Sequence, residues 1–115
     1  IKIFILNNQY MGMVRQWQEL LHEKNYSESY TAALPDFVKL AQAYGCVGIQ
    51  ATKPDELDEK INEMINTKEP VIFDCRVDPA ENCFPMIPSG KPHNQMLLGP
   101  EDEKEEVSDE GKTLV

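Results

Sequence analysis

Residues 1–17, IKIFILNNQYMGMVRQW, decide the fold that this sequence predicts. Five of the first six residues are apolar and β-favouring, which is typical of a strand buried on both faces. Asn7 and Asn8 then end the apolar run, because Asn is a poor strand former and a good turn former. A helical pattern follows, in which Met13, Val14, Trp17, Leu20 and Leu21 form the apolar face while Arg15, Gln18, Glu19 and His22 are predicted to face away. The stretch therefore predicts a strand, an Asn-rich turn and a helix, and ligands of open α/β sheets bind outside the carboxyl ends of strands, where this turn lies.

Helices and strands continue to alternate along the chain. Pro35 suits the first turn of a second helix, with an apolar face of Phe37, Leu40, Ala41 and Tyr44. Residues 46–50 predict a short strand, and residues 52–55 resemble a capping box in which Asp replaces the usual Glu. A third helix follows, with the apolar stripe Leu57, Ile61, Met64 and Ile65, and residues 71–77 predict a third strand. This order predicts an α/β fold with a parallel sheet and flanking helices.

The expected domain organisation follows from composition. Residues 1–80 are predicted to be an α/β domain, and residues 81–100 an extended segment because prolines and glycines interrupt them. Residues 101–115 hold seven acids and two lysines, a net charge of −5 of the total −9, so the remaining residues carry only −4. This acidic tail is predicted to be disordered. The chain begins inside the first predicted strand without a methionine, and we expect it to be a piece of a longer protein.

Charge and cysteine content exclude several classes of function. No basic patch is visible, so nucleic acid is not an expected partner. No apolar run is long enough to span a bilayer. Three cysteines without a Cys-x-x-Cys pair predict neither a zinc site nor a disulfide framework, which favours a reducing compartment.

Chemistry derived from the residues alone is sparse. The amide oxygen of Asn8 and the carbonyls of its turn suit magnesium, which prefers oxygen ligands, although an Asn pair after a strand is more often a plain turn. Asp74 is interpreted as a buried carboxylate with a structural role. Periodicity alone assigns Trp17 to a helix core. Neither His22 nor His93 has a ligand-spaced partner, and no catalytic side chain is predicted.

Three motifs carry a resemblance to a known family. LNNQYMGMVRQW (residues 6–17) resembles the end of the thiamine diphosphate motif in acetolactate synthase catalytic subunits, and FPMIPSG (residues 84–90) resembles a segment near the C-terminus of that family. LPDFVKLA (residues 34–41) fits as well. The resemblance extends from residue 1 to about residue 98 and implies a C-terminal fragment of the thiamine diphosphate-binding domain. Trp17 together with the Pro-Ser-Gly match is more specific than the Asn pair, which many thiamine diphosphate enzymes share.

The resemblance implies a role for each matched position. The cofactor-binding residues would be Asn8, Gln9, Tyr10, Met11, Gly12 and Met13. Magnesium would be bound by the Asn8 side chain and the Tyr10 backbone carbonyl. Val14, Trp17, Ser89 and Gly90 would line the substrate channel. The family's aspartate ligand belongs to an upstream Gly-Asp-Gly motif that this sequence lacks, and its activating glutamate lies in another domain.

The implied function is thiamine diphosphate-dependent acetolactate synthesis, in which two pyruvates, or pyruvate and 2-ketobutyrate, condense with loss of carbon dioxide. This reaction belongs to branched-chain amino-acid biosynthesis. The implied cofactors are thiamine diphosphate, Mg²⁺ and an FAD bound by a domain absent here. The implied partners are the rest of the catalytic subunit, a second copy of it in a homodimer or tetramer, and a regulatory small subunit. The expected location is the cytoplasm, or an organelle matrix if a transit peptide was lost, and the fragment alone is expected to be inactive.

Two alternatives stay open on sequence grounds. Another thiamine diphosphate-dependent carboligase or decarboxylase would keep the Asn turn but need not keep Trp17. A non-catalytic α/β interaction module, whose acidic tail binds a basic partner, would need neither.

Overall fold

The sheet of this protein is parallel and has three strands. The computed structural model describes residues 1–31 and 33–100. Strands β1 (Lys2–Asn7), β2 (Val47–Ala51) and β3 (Val71–Arg76) pair in the order β1-β3-β2. The helices are α1 (Gly12–Leu21), α2 (Phe37–Ala43) and α3 (Leu57–Asn66), with a 3₁₀ turn at Pro54–Glu56. The predicted α/β class with a parallel sheet is therefore confirmed.

The chain forms two compact units. The first, called the sheet unit, comprises Ile1–Tyr10 and Thr31–Ala80 and contains the three strands with α2 and α3. The second, called the α1 unit, comprises Met11–Tyr30 and the described residues from Glu81 onward. The predicted domain boundaries stay predictions, and the acidic tail at residues 101–115 lies outside the described residues.

The core of the sheet unit is built on its middle strand. Val71, Phe73 and Cys75 of β3 pack with Ile49 and Ala51 of β2. Partly buried side chains cover this cluster, namely Val47, Leu57, Ile61 and Met64. Each large apolar side chain buried in this way contributes about 1.5–3 kcal/mol to folding.

Strand β1 differs from its prediction. Its only described neighbour is β3, and Ile3, Phe4 and Leu6 are exposed by 43%, 39% and 68%. β1 lies at the edge of the sheet, which leaves one row of its backbone groups unpaired by a described strand. Separately, the exposure of these side chains shows that the described residues cover the faces of β1 only in part. The expectation that β1 is buried on both faces is therefore wrong for this structure, although the Phe4 ring does contact the edge of the Phe73 ring at a centroid distance of 4.6 Å.

Helix α2 packs through small residues rather than through its large apolar ones. Ala41 is fully buried, whereas Tyr44, at the end of the helix, is 78% exposed. The predicted face is thus only partly correct. A Cβ atom on Gly48 would lie 2.7 Å from the Val38 Cα, so the absence of a side chain at Gly48 lets α2 approach β2 closely.

The capping box predicted before α3 is not formed within residues 33–100, because neither α3 nor the 3₁₀ turn before it has a side-chain hydrogen bond at its N-cap. The Thr52 backbone N–H donates to the Glu56 carboxylate at 3.0 Å, whereas the prediction assigned that role to Asp55. The 3₁₀ turn before the helix shifts the reciprocal contact by one position. Leu57, Ile61 and Met64 pack on the core as predicted, but Ile65 is 61% exposed.

In the α1 unit, helix α1 buries its polar side. Arg15 and Gln16 are buried, whereas Met13 and Val14 are exposed by 53% and 42%. The prediction that Arg15 faces away is therefore wrong. The buried side contacts residues 81–86, of which residues 81–83 lie in no helix, strand or bridge, so that their backbone groups can accept side-chain partners.

Two side chains of α1 supply those partners. Gln16 donates from Nε2 to the Cys83 carbonyl at 3.0 Å and accepts from the Cys83 N–H at 2.7 Å. Arg15 donates to the Glu81 carbonyl at 3.2 Å and also contacts Asn82 and Glu19. Farther along, Met86 and Leu97 form an isolated antiparallel bridge.

No helix within residues 1–31 and 33–100 is both long enough and apolar enough to cross a membrane.

Candidate functional site

The turn at residues 7–10, called the Asn turn, follows β1 at the carboxyl end of the sheet. Its first residue, Asn7, is 5% exposed and uses both ends of its amide. Asn7 Nδ2 donates to Asp74 Oδ1 at 2.7 Å, and Asn7 Oδ1 accepts the Gln9 N–H at 3.1 Å. Asn7 is therefore committed to holding the turn.

Asn8 is held differently. Its Oδ1 accepts the Tyr10 N–H at 3.2 Å, and its side chain is only half-buried. An amide oxygen carries two lone pairs, so one remains after this contact. Asn8 can therefore present an oxygen to a ligand while it still closes the turn.

Gln9 is fixed in an unusual backbone conformation. Its φ is +62°, in the left-handed region that non-glycine residues seldom adopt. Its carbonyl accepts both the N–H of Thr31 at 2.9 Å and the hydroxyl of Thr31 at 2.7 Å. Strained residues of this kind cluster at functional sites, because surrounding contacts must hold them in place.

These contacts decide which oxygens of the turn are already in use. The Gln9 carbonyl is occupied twice by Thr31, and the Asn7 carbonyl accepts the Val77 N–H at 3.2 Å. The Asn7 and Asn8 amide oxygens each accept one backbone N–H, from Gln9 and Tyr10 respectively. Asn7 is buried whereas Asn8 is half-buried, so the Asn8 amide oxygen is the more accessible of the two to a cation.

Asp74 lies beneath the turn and is 1% exposed. Besides Asn7, its carboxylate accepts from Gln50 Nε2 at 2.9 Å and lies 3.4 Å from Arg76 Nε. Donors from all three strands therefore meet on one carboxylate. The sequence signalled Asp74 as a charged residue inside an apolar strand, but it did not signal the link to Asn7, which joins residues 67 positions apart.

The α1 unit contains a cavity of about 700 Å³ along the exposed side of α1. Met13, Val14 and Trp17 line it, and Gln18, Leu21, His22, Glu23 and Asn25 complete the lining. Two of its polar atoms, Gln18 Oε1 and His22 Nε2, are buried and have no hydrogen-bond partner in the described part of the chain. The cavity thus combines an apolar wall with a few polar groups, as ligand pockets do.

The structure groups the predicted site residues in part. Asn8, Gln9 and Tyr10 form one turn of the sheet unit, whereas Met11, Gly12 and Met13 begin the α1 unit. Val14 and Trp17 share the cavity, but Ser89 and Gly90 are not among its lining residues. Over the described ranges, no cluster of three or more His, Cys, Asp or Glu side chains could hold a metal by itself.

Comparison with known proteins identifies the family. Residues 1–75 match the model of the thiamine pyrophosphate enzyme C-terminal TPP binding domain. The chain belongs to the thiamine pyrophosphate enzyme family. The Asn turn and the first residues of α1 lie inside the matched part of this TPP-binding domain, and so does Asp74.

Within this family the chain is similar to acetolactate synthases, as its motifs predicted. It is 50% identical over 98 residues to the acetolactate synthase large subunit of Cyanidium caldarium, a match covering 84% of the chain and 17% of that protein. It is 44% identical over 96 residues to the acetolactate synthase isozyme 3 large subunit of Escherichia coli (strain K12), a match covering 81% of the chain and 17% of that protein. It is also 40% identical over 108 residues to the mitochondrial acetolactate synthase catalytic subunit of Saccharomyces cerevisiae, a match covering 93% of the chain and 16% of that protein. The chain thus spans about a sixth of the length of these relatives.

Proposed function

We propose that this chain supplies part of the magnesium and thiamine diphosphate site of an acetolactate synthase catalytic subunit. The observation that carries the proposal is the Asn turn, which holds the Asn8 amide oxygen at the carboxyl end of a parallel sheet in a TPP-binding domain. The reaction would join two pyruvates, or pyruvate and 2-ketobutyrate, with loss of carbon dioxide.

The donor set of the turn fits magnesium. Mg²⁺ takes oxygen ligands in an octahedron, and it commonly combines one or two protein groups with phosphate oxygens and water. We propose that Asn8 contributes its amide oxygen and Tyr10 its backbone carbonyl. Both ligands are neutral, so the diphosphate itself would supply most of the negative charge around the cation.

The remaining predicted contacts follow the chain direction. We propose that Gln9, Met11, Gly12 and Met13 line the bound cofactor. When bound, thiamine diphosphate supplies the carbanion stabilisation that decarboxylation of a 2-keto acid requires. The residues of this chain would orient the diphosphate and exclude water, and none of them would transfer a proton.

We propose further that Val14 and Trp17 form a wall of the substrate channel. The cavity beside α1 supports this proposal because both side chains line it. Ser89 and Gly90 are proposed for the same channel on the resemblance of residues 84–90 alone.

The proposal extends to the whole protein. We propose that it acts in branched-chain amino-acid biosynthesis, that another domain binds FAD, and that the catalytic subunit forms a homodimer or tetramer with a regulatory small subunit. The cytoplasm or an organelle matrix is the proposed location. The name "large subunit" of one relative supports a second, smaller subunit, and the name of the mitochondrial catalytic subunit supports an organelle location. The other proposals rest on the motif resemblance alone.

The test is a magnesium titration of the full-length protein at saturating thiamine diphosphate, measured by calorimetry. Asn8→Ala removes an oxygen ligand without adding charge, and we expect its Kd for magnesium to rise about 10- to 100-fold. Asn66→Ala is the matched control, because it also removes an Asn side chain with one local hydrogen bond, here to the Asn62 carbonyl at 2.8 Å.

Superimposable magnesium curves for wild type, Asn8→Ala and Asn66→Ala would show that Asn8 is only a turn residue. Product analysis then separates the synthase from a related enzyme. Acetolactate from pyruvate supports the proposal, whereas an aldehyde product would favour a decarboxylase.

A further inference from the structure

Asp74 is a carboxylate on the middle strand, β3, that the proposed chemistry does not use. Asp74 is 1% exposed, its neighbours in sequence Phe73 and Cys75 are apolar, and Arg76 of the same strand lies 3.4 Å from its carboxylate. Removing a carboxylate from water is costly unless hydrogen bonds compensate, and a buried ion pair is often replaced by apolar residues without loss of stability. Here Asn7, Gln50 and Arg76 compensate for the burial of the carboxylate. The role of Asp74 therefore has to be sought in the groups that its contacts position.

Its hydrogen bonds point toward the Asn turn. Asp74 Oδ1 accepts from Asn7 Nδ2 at 2.7 Å, and this contact fixes which end of the Asn7 amide faces the turn. Asn7 Oδ1 is thereby directed at the Gln9 N–H, 3.1 Å away. Two consecutive hydrogen bonds thus connect Asp74 in the sheet unit to the backbone of the turn.

Gln9, whose N–H makes the second of these hydrogen bonds, needs such support. Gln9 holds φ at +62°, a conformation that its side chain disfavours. Two sets of contacts hold Gln9 in place, the Asn7 amide on its N–H and Thr31 on its carbonyl. Asn8 lies between Asn7 and Gln9, so the direction of its amide oxygen depends on both.

We propose that Asp74 is a positioning residue for the Asn turn, acting through the Asn7 side chain to set the affinity of the turn for magnesium diphosphate. This inference rests on the proposed function, since it assigns to Asp74 the geometry of the proposed ligand Asn8. Partners that orient a metal ligand typically change metal affinity about 10- to 100-fold when they are removed.

Because of Gln50, we expect two substitutions of Asp74 to differ in their effect. Gln50 Nε2 donates to the second carboxylate oxygen at 2.9 Å, and the Gln50 side chain is exposed, so its amide is able to rotate and present an oxygen instead. In Asp74→Asn, the new amide keeps its oxygen toward Asn7 and turns its NH₂ toward Gln50, and the half-buried Arg76 loses its ion pair with this position but keeps its own access to water. In Asp74→Val, the Asn7 Nδ2 loses its acceptor altogether.

The experiment measures the magnesium Kd by calorimetry at saturating thiamine diphosphate in the full-length protein, together with the melting temperature of each variant. Asp74→Val is expected to raise the Kd about 10- to 100-fold, whereas Asp74→Asn stays near wild type. Val71→Ala is the stability control, because it opens the same core on the same strand without touching the turn. Its melting temperature falls while its Kd is unchanged.

A double-mutant cycle tests the route. Asn7→Ala removes the link and is expected to weaken magnesium binding as Asp74→Val does, and the double variant is expected to be no weaker than either single variant. If the two losses multiply, Asp74 acts by another route and the proposal is overturned. If Asp74→Val does not fold, Asn7→Ala decides alone, because an unchanged Kd in that variant overturns the proposal.

The Asn8→Ala variant separates this inference from the proposed function. A weaker Kd in Asn8→Ala with wild-type affinity in Asp74→Val and Asn7→Ala overturns only the positioning role. Wild-type affinity in all three variants overturns the proposed function as well.

Discussion

At the scale of single residues, the two adjacent asparagines have different roles. Asn7 is buried and uses both ends of its amide within the sheet unit, whereas Asn8 is half-buried and retains a lone pair. The sequence could predict that a turn lies here, because Asn ends an apolar run. It could not separate the two roles, since they depend on Asp74, which lies 67 positions from Asn7.

The three cysteines should differ in reactivity. Burial raises the pKa of the Cys75 thiol, and the negative charge of Asp74 raises it further, while Cys83 is exposed and Cys46 intermediate. Alkylation requires the thiolate. We therefore expect iodoacetamide to modify Cys83 in the native protein and to reach Cys75 only after unfolding, as measured by mass spectrometry of peptides.

The raised pKa of Cys75 also makes the stability of the fold depend on pH. A raised pKa means that the folded state favours the neutral thiol, so the stabilisation from Cys75 is complete below the ordinary thiol pKa and is lost as pH rises through the folded value. Labelling of Cys75 as fast as that of Cys83 in the native protein would contradict its burial.

At the scale of elements, the sequence predicted helices and strands better than their faces. Three of the four residues predicted for the apolar stripe of the third helix, Leu57, Ile61 and Met64, pack on the core, whereas Ile65 is exposed. Helix α1 has its polar side buried instead, since Gln16 satisfies both backbone groups of Cys83. Periodicity locates a helix, but the choice of face depends on what covers it, and a contact between residues 67 positions apart leaves no periodic signal.

The contact of α2 with β2 gives a prediction about Gly48. Gly48→Ala places a Cβ 2.7 Å from the Val38 Cα and 2.8 Å from its carbonyl oxygen, so backbone atoms must move. We expect a loss of about 1–3 kcal/mol in the free energy of unfolding, as overpacking typically causes. Gly99→Ala is the matched control, because nothing lies within 4 Å of its added Cβ.

Urea denaturation measures both glycine variants. A midpoint for Gly48→Ala equal to that of Gly99→Ala would show that α2 does not pack as closely on β2 as described.

At the scale of the whole molecule, the proposal is that this chain supplies part of a magnesium and thiamine diphosphate site. Two neutral oxygens are proposed for magnesium, and the described residues contain no cluster of acidic, histidine or cysteine side chains that could complete a metal site. The expectation that the site is completed by other residues stays a prediction, which rests on the Gly-Asp-Gly motif that the family resemblance implies and this sequence lacks. It could not predict the exposure of β1, since the apolar faces of that strand lack cover among the described residues.

The residues proposed to be missing from the site predict that the isolated chain is inactive. We expect residues 1–115 alone to form no acetolactate from pyruvate when thiamine diphosphate, magnesium and FAD are present, because the aspartate ligand and the activating glutamate of the family are absent. A colorimetric acetoin assay measures this, with a full-length relative as the positive control. Turnover above the rate of a protein-free mixture would contradict the prediction.

The position of Trp17 has a practical consequence for optical measurements. Trp17 is the only tryptophan in the sequence, and its indole lines the cavity beside α1. Indole emission moves to shorter wavelength when water leaves its surroundings, so a molecule that enters this cavity changes a signal that comes from one known place. The chain therefore carries its own fluorescent reporter of cavity occupancy, and a ligand can be detected there without a dye or an engineered label.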